Sequence, residues 1–389
     1  MVGGAPNVIS GNGQAVTSAG IRVFGDDVID LEIINNIIGL SAAGDLLVPN
    51  NGSGILVHGN ASGVQIGLAG AGNFIAGAGN THASIRLDTG STDNTIQGNV
   101  IGLAVDGSSL IGGAVTAASH LGLSIQDSPN LIGGTGFGDG NTIRDMATGG
   151  IEAEPGNTIL GNSIFNSDDG SFADDFLGID IEPDGITTTN LPVIDLAVSG
   201  FATTRAGGTL TATPETRYRI EVFASSAVGV TGFGEGETFL GFVDVVTDSI
   251  GEAVWSFSTD TLTSVGEFIS ATATSNVEGT SEFAFSVATR ASLVVRNTND
   301  VGADSLRQHI TTANANAGGD LIEFDIPGAG PHIIQPLSVL PLVTTQVLFD
   351  GRSEPDYGGA PIVQIDGSLT PAINGPGFRY LKTFGSAVA

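Results

Sequence analysis

A short phrase recurs through the first half of this chain: asparagine, an apolar pair, then Gly-Asn and a further isoleucine. It stands as Asn7-Val8-Ile9-Ser10-Gly11-Asn12, as Asn94-Thr95-Ile96-Gln97-Gly98-Asn99-Val100-Ile101-Gly102, and as Asn157-Thr158-Ile159-Leu160-Gly161-Asn162-Ser163-Ile164. A degenerate copy is Asn35-Asn36-Ile37-Ile38-Gly39. Between copies lie short strand-like bursts opened by a small residue: Gly20-Ile21-Arg22-Val23, Gly54-Ile55-Leu56-Val57, Ser84-Ile85-Arg86-Leu87, Gly122-Leu123-Ser124-Ile125 and Gly150-Ile151-Glu152. Units of this size cannot bury their own apolar faces, so self-similarity at this period means stacking, each unit covered by the next. Function must then be sought on a long stacked surface before any single pocket.

Over residues 1–191 the periodicity is two, in bursts of three to five residues. Ile29, Leu31 and Ile33 alternate with Asp30 and Glu32, and Val64, Ile66 and Leu68 alternate with Gln65 and Gly67. Such alternation sends one face inward and leaves the other in water. The bursts are separated by Gly, Asn and Asp corners. Coils stacked ~4.8 Å apart pair each strand with its counterpart in the next coil, so inward Ile and Val form columns. Corner asparagines can then form side-chain ladders and tolerate left-handed backbone angles.

These phrases, together with Leu177-Gly178-Ile179-Asp180-Ile181, resemble bacterial extracellular proteins with parallel β-helix (PbH1) repeats. That family commonly reads Gly-Asn-x-Ile-Gly-Thr, and here Leu40 and Leu103 replace the threonine. The resemblance implies a right-handed parallel β-helix over residues 1–191. It is silent about activity, because the wider fold hosts pectate lyases, polygalacturonases, tail spikes and adhesins.

Near Leu191-Pro192-Val193 the repeat stops. Tyr218, Ile220 and Val222 alternate with Arg219 and Glu221. Val243 and Val245 follow, then Ala253, Trp255 and Phe257, then Ile269, Ala271 and Ala273, then Phe283, Phe285 and Val287. Strands of this spacing predict a β-sandwich of about seven strands over 192–290, with Trp255 in its core. The stretches Gly232–Gly241 and Phe268–Thr274 resemble immunoglobulin-like modules attached to such surface proteins. Glu235 and Glu237, in the glycine-rich loop, read as a solvated turn, with calcium or ligand binding as the alternative.

From Ser292 onward Val295-Arg296-Asn297-Thr298-Asn299-Asp300, Ser305-Leu306-Arg307-Gln308-His309-Ile310 and Ala313-Asn314-Ala315-Asn316 resemble the SLRxA-type (CSLREA-like) cap that opens many of these β-helices. The family usually has alanine where His309 stands, which places that residue outward. Asp304 or Ser305 can cap a helix whose apolar stripe is Leu306, Ile310 and Ala313 and which ends at Gly318-Gly319. Strands are expected at Leu321–Phe324, His332–Ile334, Val347–Phe349 and Ile362–Ile365. Residues 291–389 thus read as a cap helix and the first coils of a second β-helix. The chain opens inside a repeat and closes after one or two capped coils, so the expectation is a segment of a longer multi-module secreted protein. The fold class is all-β.

Charge narrows the partners. The chain has 41 acidic against 12 basic residues, a net charge of −29. Such a chain repels phosphate backbones, so no nucleic-acid partner is expected; no run of about 18 apolar residues predicts a membrane span. Without cysteine there is no disulfide, thiolate metal site or cysteine nucleophile. Met1–Pro6 has neither the basic nor the apolar region of a secretory signal. His58, His82, His120, His309 and His332 show no metal-ligand spacing. The stretch Gly134-Thr135-Gly136-Phe137-Gly138-Asp139-Gly140 lacks the strand–turn–helix frame and lysine of a phosphate loop; it resembles half of a calcium-roll nonapeptide, without tandem repetition.

The chief candidate site is an acidic run: Asp168, Asp169, Asp174, Asp175 and Asp180, with Glu182 and Asp184 nearby. Three readings apply: a solvated acidic loop, a calcium site, for which carboxylate oxygens are suited, or a carboxylate pair for glycoside hydrolysis. The Gly-His-Gly and Arg-x-Lys companions of polygalacturonases are absent, so no catalytic residue and no certain cofactor is assigned. The expected function is a non-enzymatic cell-surface or secreted scaffold or adhesion protein of monomeric modules, contacting glycans or other surface ligands. The alternative is a polysaccharide lyase or hydrolase acting along the β-helix face. A groove combining three convergent carboxylates, an arginine and an aromatic platform would favour that alternative.

Overall fold

The computed structural model describes residues 6–12, 19–28, 30–78, 82–108, 121–165, 177–182, 190–229 and 231–370. They fall into two compact units. Residues 1–192, 210–253 and 268–286 contribute to the first, and residues 193–209, 254–267 and 287–389 to the second.

The first unit holds a parallel β-solenoid with three sheets. One sheet orders Asn7–Ile9, Asn36–Ile38, Phe74–Ile75, Val100–Ile101, Thr142–Arg144 and Ser163–Phe165. A second orders Ile21–Phe24, Ile55–His58, Ala83–Leu87, Leu121–Ile125, Gly149–Ala153 and Ile179–Ile181. The third has five strands: Glu32–Ile33, Gln65–Ile66, Thr95–Ile96, Leu131–Gly133 and Thr158–Leu160. Every strand meets its counterpart one coil on, in parallel and in register. One inward column therefore runs Ile38, Ile75, Ile101, Ile143, Ile164. Another runs Ile33, Ile66, Ile96, Ile132, Ile159. All ten side chains are buried, and each such burial contributes about 1.5–3 kcal/mol against exposure.

The corners form the expected asparagine ladders. The Asn7 side-chain amide donates to Asn36 Oδ1 at 3.0 Å, Asn36 to Asn73 at 2.9 Å, Asn73 to Asn99 at 2.9 Å, Asn99 to Asn141 at 2.9 Å and Asn141 to Asn162 at 2.8 Å. From Asn36 to Asn141, each also donates its backbone N–H to the same Oδ1 in the next coil. A shorter ladder joins Asn94, Asn130 and Asn157. Alternation is shorter than the sequence implies: Leu31 is exposed and Leu68 half-buried, because Asp30, just before Leu31, and Gly67, just before Leu68, turn the chain at positive φ.

An antiparallel sheet of the same unit meets the last coil. It orders Thr238–Val246, Arg217–Ser225, Phe268–Ser275 and Gly279–Thr280. Tyr218, Ile220 and Val222 are buried on one face, as their alternation predicts. Glu221, expected on a wet face, is buried too. The reason is that this second face lies against the end of the solenoid. There Glu221 Oε2 accepts the Gly161 N–H at 2.8 Å, Thr280 Oγ1 accepts the Ile159 N–H at 2.8 Å, and Glu282 Oε1 accepts the Ile181 N–H at 3.2 Å. Gly236 and Ile164 exchange both backbone hydrogen bonds. Phe223 and Phe283, in edge-to-face contact at 5.3 Å, close the apolar columns. Phe283 thus belongs to the solenoid core, and Phe285, expected inward, is exposed.

A further sheet orders Glu252–Thr259, Thr204–Thr211, Pro192–Ser199 and Arg290–Ala291. Trp255 is buried there and donates its indole N–H to the Thr209 carbonyl at 3.2 Å. In the second unit a short parallel stack follows. Leu293–Val295, Asp320–Phe324 and Val347–Asp350 form one sheet, and His332–Ile334 and Val363–Ile365 another. Helix α1 (Leu306–Ala315) packs on the first of these strands. Ser305 caps it, and Leu306, Ile310 and Ala313 enter the core of the stack with Val295, Ile322 and Val347. His309 does not face outward: half-buried, it hydrogen-bonds the Val294 carbonyl at 2.8 Å.

Candidate ligand-binding groove

The loop Gly134–Gly140 follows the strand Leu131–Gly133. It turns back on itself through Asp139, whose Oδ2 accepts the Gly136 N–H at 2.7 Å and whose N–H reaches the Gly136 carbonyl at 3.1 Å. Glycine is required at two points. Gly138 has a φ of +85°, and a Cβ on Gly140 would lie 2.0 Å from the Gly161 carbonyl oxygen of the next coil. Phe137 stands at the tip, fully exposed.

Facing this loop, one side of the antiparallel sheet presents Arg219 and Glu221 with Phe239 and Phe242. Phe239 and Phe242 are three residues apart, so a regular strand would send them to opposite faces. The register shifts between Val222 and Phe223, pairing Phe242 with Glu221 and Phe239 with Phe223. This bulge turns both rings to the face that carries Glu221 and Arg219. The loop and sheet together enclose a cleft of about 460 Å3, within the ordinary range of small-molecule pockets.

Arg219 lies over the Phe242 ring, 3.8 Å from its centroid. Its Nε is 3.7 Å from Asp244 Oδ1, outside hydrogen-bond range, while Arg217 takes the other Asp244 oxygen at 2.8 Å. Burial pushes the Glu221 carboxyl up to about 7, moderated by the Gly161 N–H and by Arg219. A carboxyl poised near neutrality beside an arginine in an aromatic cleft has the marks of a functional site.

Of the acidic run, only Asp180 and Glu182 lie among the described residues. Asp168, Asp169, Asp174, Asp175 and Asp184 lie outside the described residues. Asp180 sits on the strand Ile179–Ile181, in register with Glu152 of the preceding coil. Glu182 follows at a positive φ. Among the described residues no group of three or more His, Asp or Glu side chains is placed to hold a metal ion. No described helix is long and apolar enough to cross a membrane. The loop holding Glu235 and Glu237 is not a free turn: Gly236 pairs with the last coil, Glu235 is buried, and Glu237 Oε2 accepts the Ser226 N–H and hydroxyl. His58 lies 4.8 Å from Phe24 with the two rings tilted by 47° and accepts the Arg22 Nε–H, and His332 is buried beside Glu354. His120 lies outside the described residues.

Sequence patterns alone overlook Phe239, Phe242 and Glu221. The one local signal was Phe137, a single aromatic among glycines, where no packing role explains a ring. The chain matches no protein-family model and no curated protein.

Proposed function

We propose that this chain is a non-enzymatic module of a secreted or cell-surface bacterial protein, serving as a rigid scaffold that contacts glycans through the groove of Phe137, Phe239, Phe242, Arg219 and Glu221. In this reading the antiparallel sheets are an immunoglobulin-like module and α1 is a CSLREA-like cap. The observation that carries the scaffold role is the continuity of bonding in the first unit. Asparagine ladders tie coil to coil, and the antiparallel sheet then bonds to every strand of the last coil. Such a body transmits load and holds its surface loops at fixed positions. The aromatic groove supports glycan contact, since ring faces pack against the C–H faces of sugars while arginine and backbone groups meet hydroxyls.

Glu221 favours a second reading, a polysaccharide lyase or hydrolase, because a carboxyl near pH 7 suits a general acid. Against it, one oxygen of Glu221 is engaged by the Gly161 N–H and the side chain is buried. Incubation with acidic and neutral polysaccharides, with and without calcium, separates the two. The scaffold reading expects binding and no product. Unsaturated or reducing ends that vanish in Glu221→Gln would establish the enzyme instead.

A further inference from the structure

Arg219 is held in place and yet left without a hydrogen-bond partner. Its guanidinium is fixed over Phe242, its side chain is a quarter exposed, and none of its guanidinium N–H groups hydrogen-bonds a described residue, Asp244 Oδ1 lying 3.7 Å from Nε. Asp244, the acid facing it, is already engaged by Arg217. An arginine in a cleft of this size, with its donor fork open and its plane fixed, matches a carboxylate better than any neutral group. Apart from Glu221 and Thr135, the remaining walls are aromatic rings and glycine backbone. The net charge of −29 limits the anion: an extended polyanion meets repulsion along its length, whereas a single carboxylate beside Arg219 is screened from charges beyond about 8 Å at physiological salt.

We propose that the groove binds a ring-bearing monocarboxylate, its carboxylate paired with Arg219 and its ring lying against Phe137 and Phe239. Two sources share this chemistry: a terminal uronate of a glycan, and a free aromatic acid. Only the uronate arm rests on the glycan reading above. Glu221, at the floor of the groove, faces Arg219 on its own strand, Gly161 on the last coil, and Phe242 and Thr272 on the flanking strands. Buried beneath the ligand, it makes no contact with it, but its ionised form repels the ligand carboxylate and its protonated form does not. Binding therefore strengthens as the pH falls from 8 to 6.

Calorimetric titration of the whole chain with methyl glucuronide, methyl glucoside and phenylacetate tests this. At least one of the two acids is expected to bind, the glucoside at least tenfold more weakly than the glucuronide. Arg219→Gln should weaken acid binding at least tenfold and Phe239→Ala several-fold, while Arg86→Gln, away from the groove, leaves it unchanged. Arg219→Lys guards against a misfolded Gln variant: it keeps the charge, loses the planar fork, and should fall between the two. Phenylacetate binding alone supports the site and removes the glycan reading. Glucoside binding equal to glucuronide overturns the carboxylate proposal and leaves the glycan reading standing. Binding unaffected by Arg219→Gln, or no binding of either acid, overturns the proposal outright.

Discussion

In the solenoid of residues 7–181 the last coil is met by an antiparallel sheet; in the short stack of residues 293–365 the first strand is met by a helix. The two solutions differ in what they can supply. A parallel coil at the end of a stack leaves both an apolar column and a row of unpaired backbone groups. The sheet answers both needs. Phe223 and Phe283 fill the column, while Thr280, Glu221, Glu282 and Gly236 bond to the backbone of the last coil. A helix uses its own backbone internally, so α1 offers chiefly its stripe of Leu306, Ile310 and Ala313. Backbone satisfaction there falls to side chains and caps: His309 bonds the Val294 carbonyl, and the Arg296 N–H reaches the Asp304 carbonyl. Covering a stack with a sheet places buried carboxylates against main chain and leaves a groove where the sheet passes the solenoid's loops. In the helix-covered stack the buried Glu354 carboxylate, on the Ile326 N–H, bonds instead between coils of its own stack.

The largest expected effect tests the plug. Phe283→Ala removes a buried ring packed edge-to-face on Phe223 and should cost about 3–5 kcal/mol. Hydrogen exchange should accelerate in 158–165 and 177–181 and stay unchanged in 293–365. Ile310→Ala, its counterpart under α1, should reverse that pattern. Equal loosening of both stacks by either variant would mean that the covers are not local devices.

The ladder comes next. Asn99 accepts from the Asn73 side chain and backbone and donates to the Ile66 carbonyl and to Asn141. Asn99→Ala leaves several buried groups unpaired and should cost about 3 kcal/mol by denaturant titration. Asn99→Asp should be worse at pH 7 than at pH 4, where a protonated carboxyl restores a donor. The short stack has no equivalent residue among those described, so its exchange should not respond.

These two sites mark how far the sequence could be read. The columns and ladders were legible because isoleucine and asparagine recur at one place in every coil, and a repeat forces its own register. The stripe of α1 was legible for the same reason, at period 3.6. The groove was not. Alternation in Arg217–Ser225 correctly set Tyr218, Ile220 and Val222 on one face, but it assigned the opposite face to water. Nothing local records that Glu221 is covered by Gly161, 60 residues earlier. Phe239 and Phe242 were hidden by a bulge that cancels the period-two rule. Long-range covering and single inserted residues leave no periodic trace.

The third effect is smaller and depends on pH. Burial raises the Glu221 carboxyl from its ordinary value to about 7, so the folded state favours the protonated form. Its contribution is fully present below about pH 4.5 and is lost as the pH rises through 7, with a span of at most about 3 kcal/mol. Melting temperature should fall between pH 5 and pH 8, and Glu221→Gln, neutral throughout, should flatten that slope and be the more stable protein at pH 8. An unchanged slope would show that Glu221 does not carry it. Burial also raises the Asp320 carboxyl of the short stack, against Asn316 and Arg290, so the part of the slope that Glu221→Gln removes is the part that belongs to the sheet-covered stack.

The smallest effect belongs to the helix. Ser305 is fully buried, and its hydroxyl accepts the Gln308 N–H at 3.3 Å and donates to the Gly302 carbonyl at 2.8 Å. Ser305→Ala should cost about 1 kcal/mol, and Ser305→Asp, which keeps a capping acceptor, should recover part of the cap in spite of its burial. The loss should appear first as faster exchange in the opening turn of α1, then in Leu293–Val295 beneath it. It is small because the apolar stripe, and not the cap, holds the helix on the stack. If Ser305→Ala instead unfolded the stack as thoroughly as Ile310→Ala, the hydroxyl would be fastening the helix to the coil through its polar contacts, and the contrast between a cover that bonds and a cover that only packs would disappear.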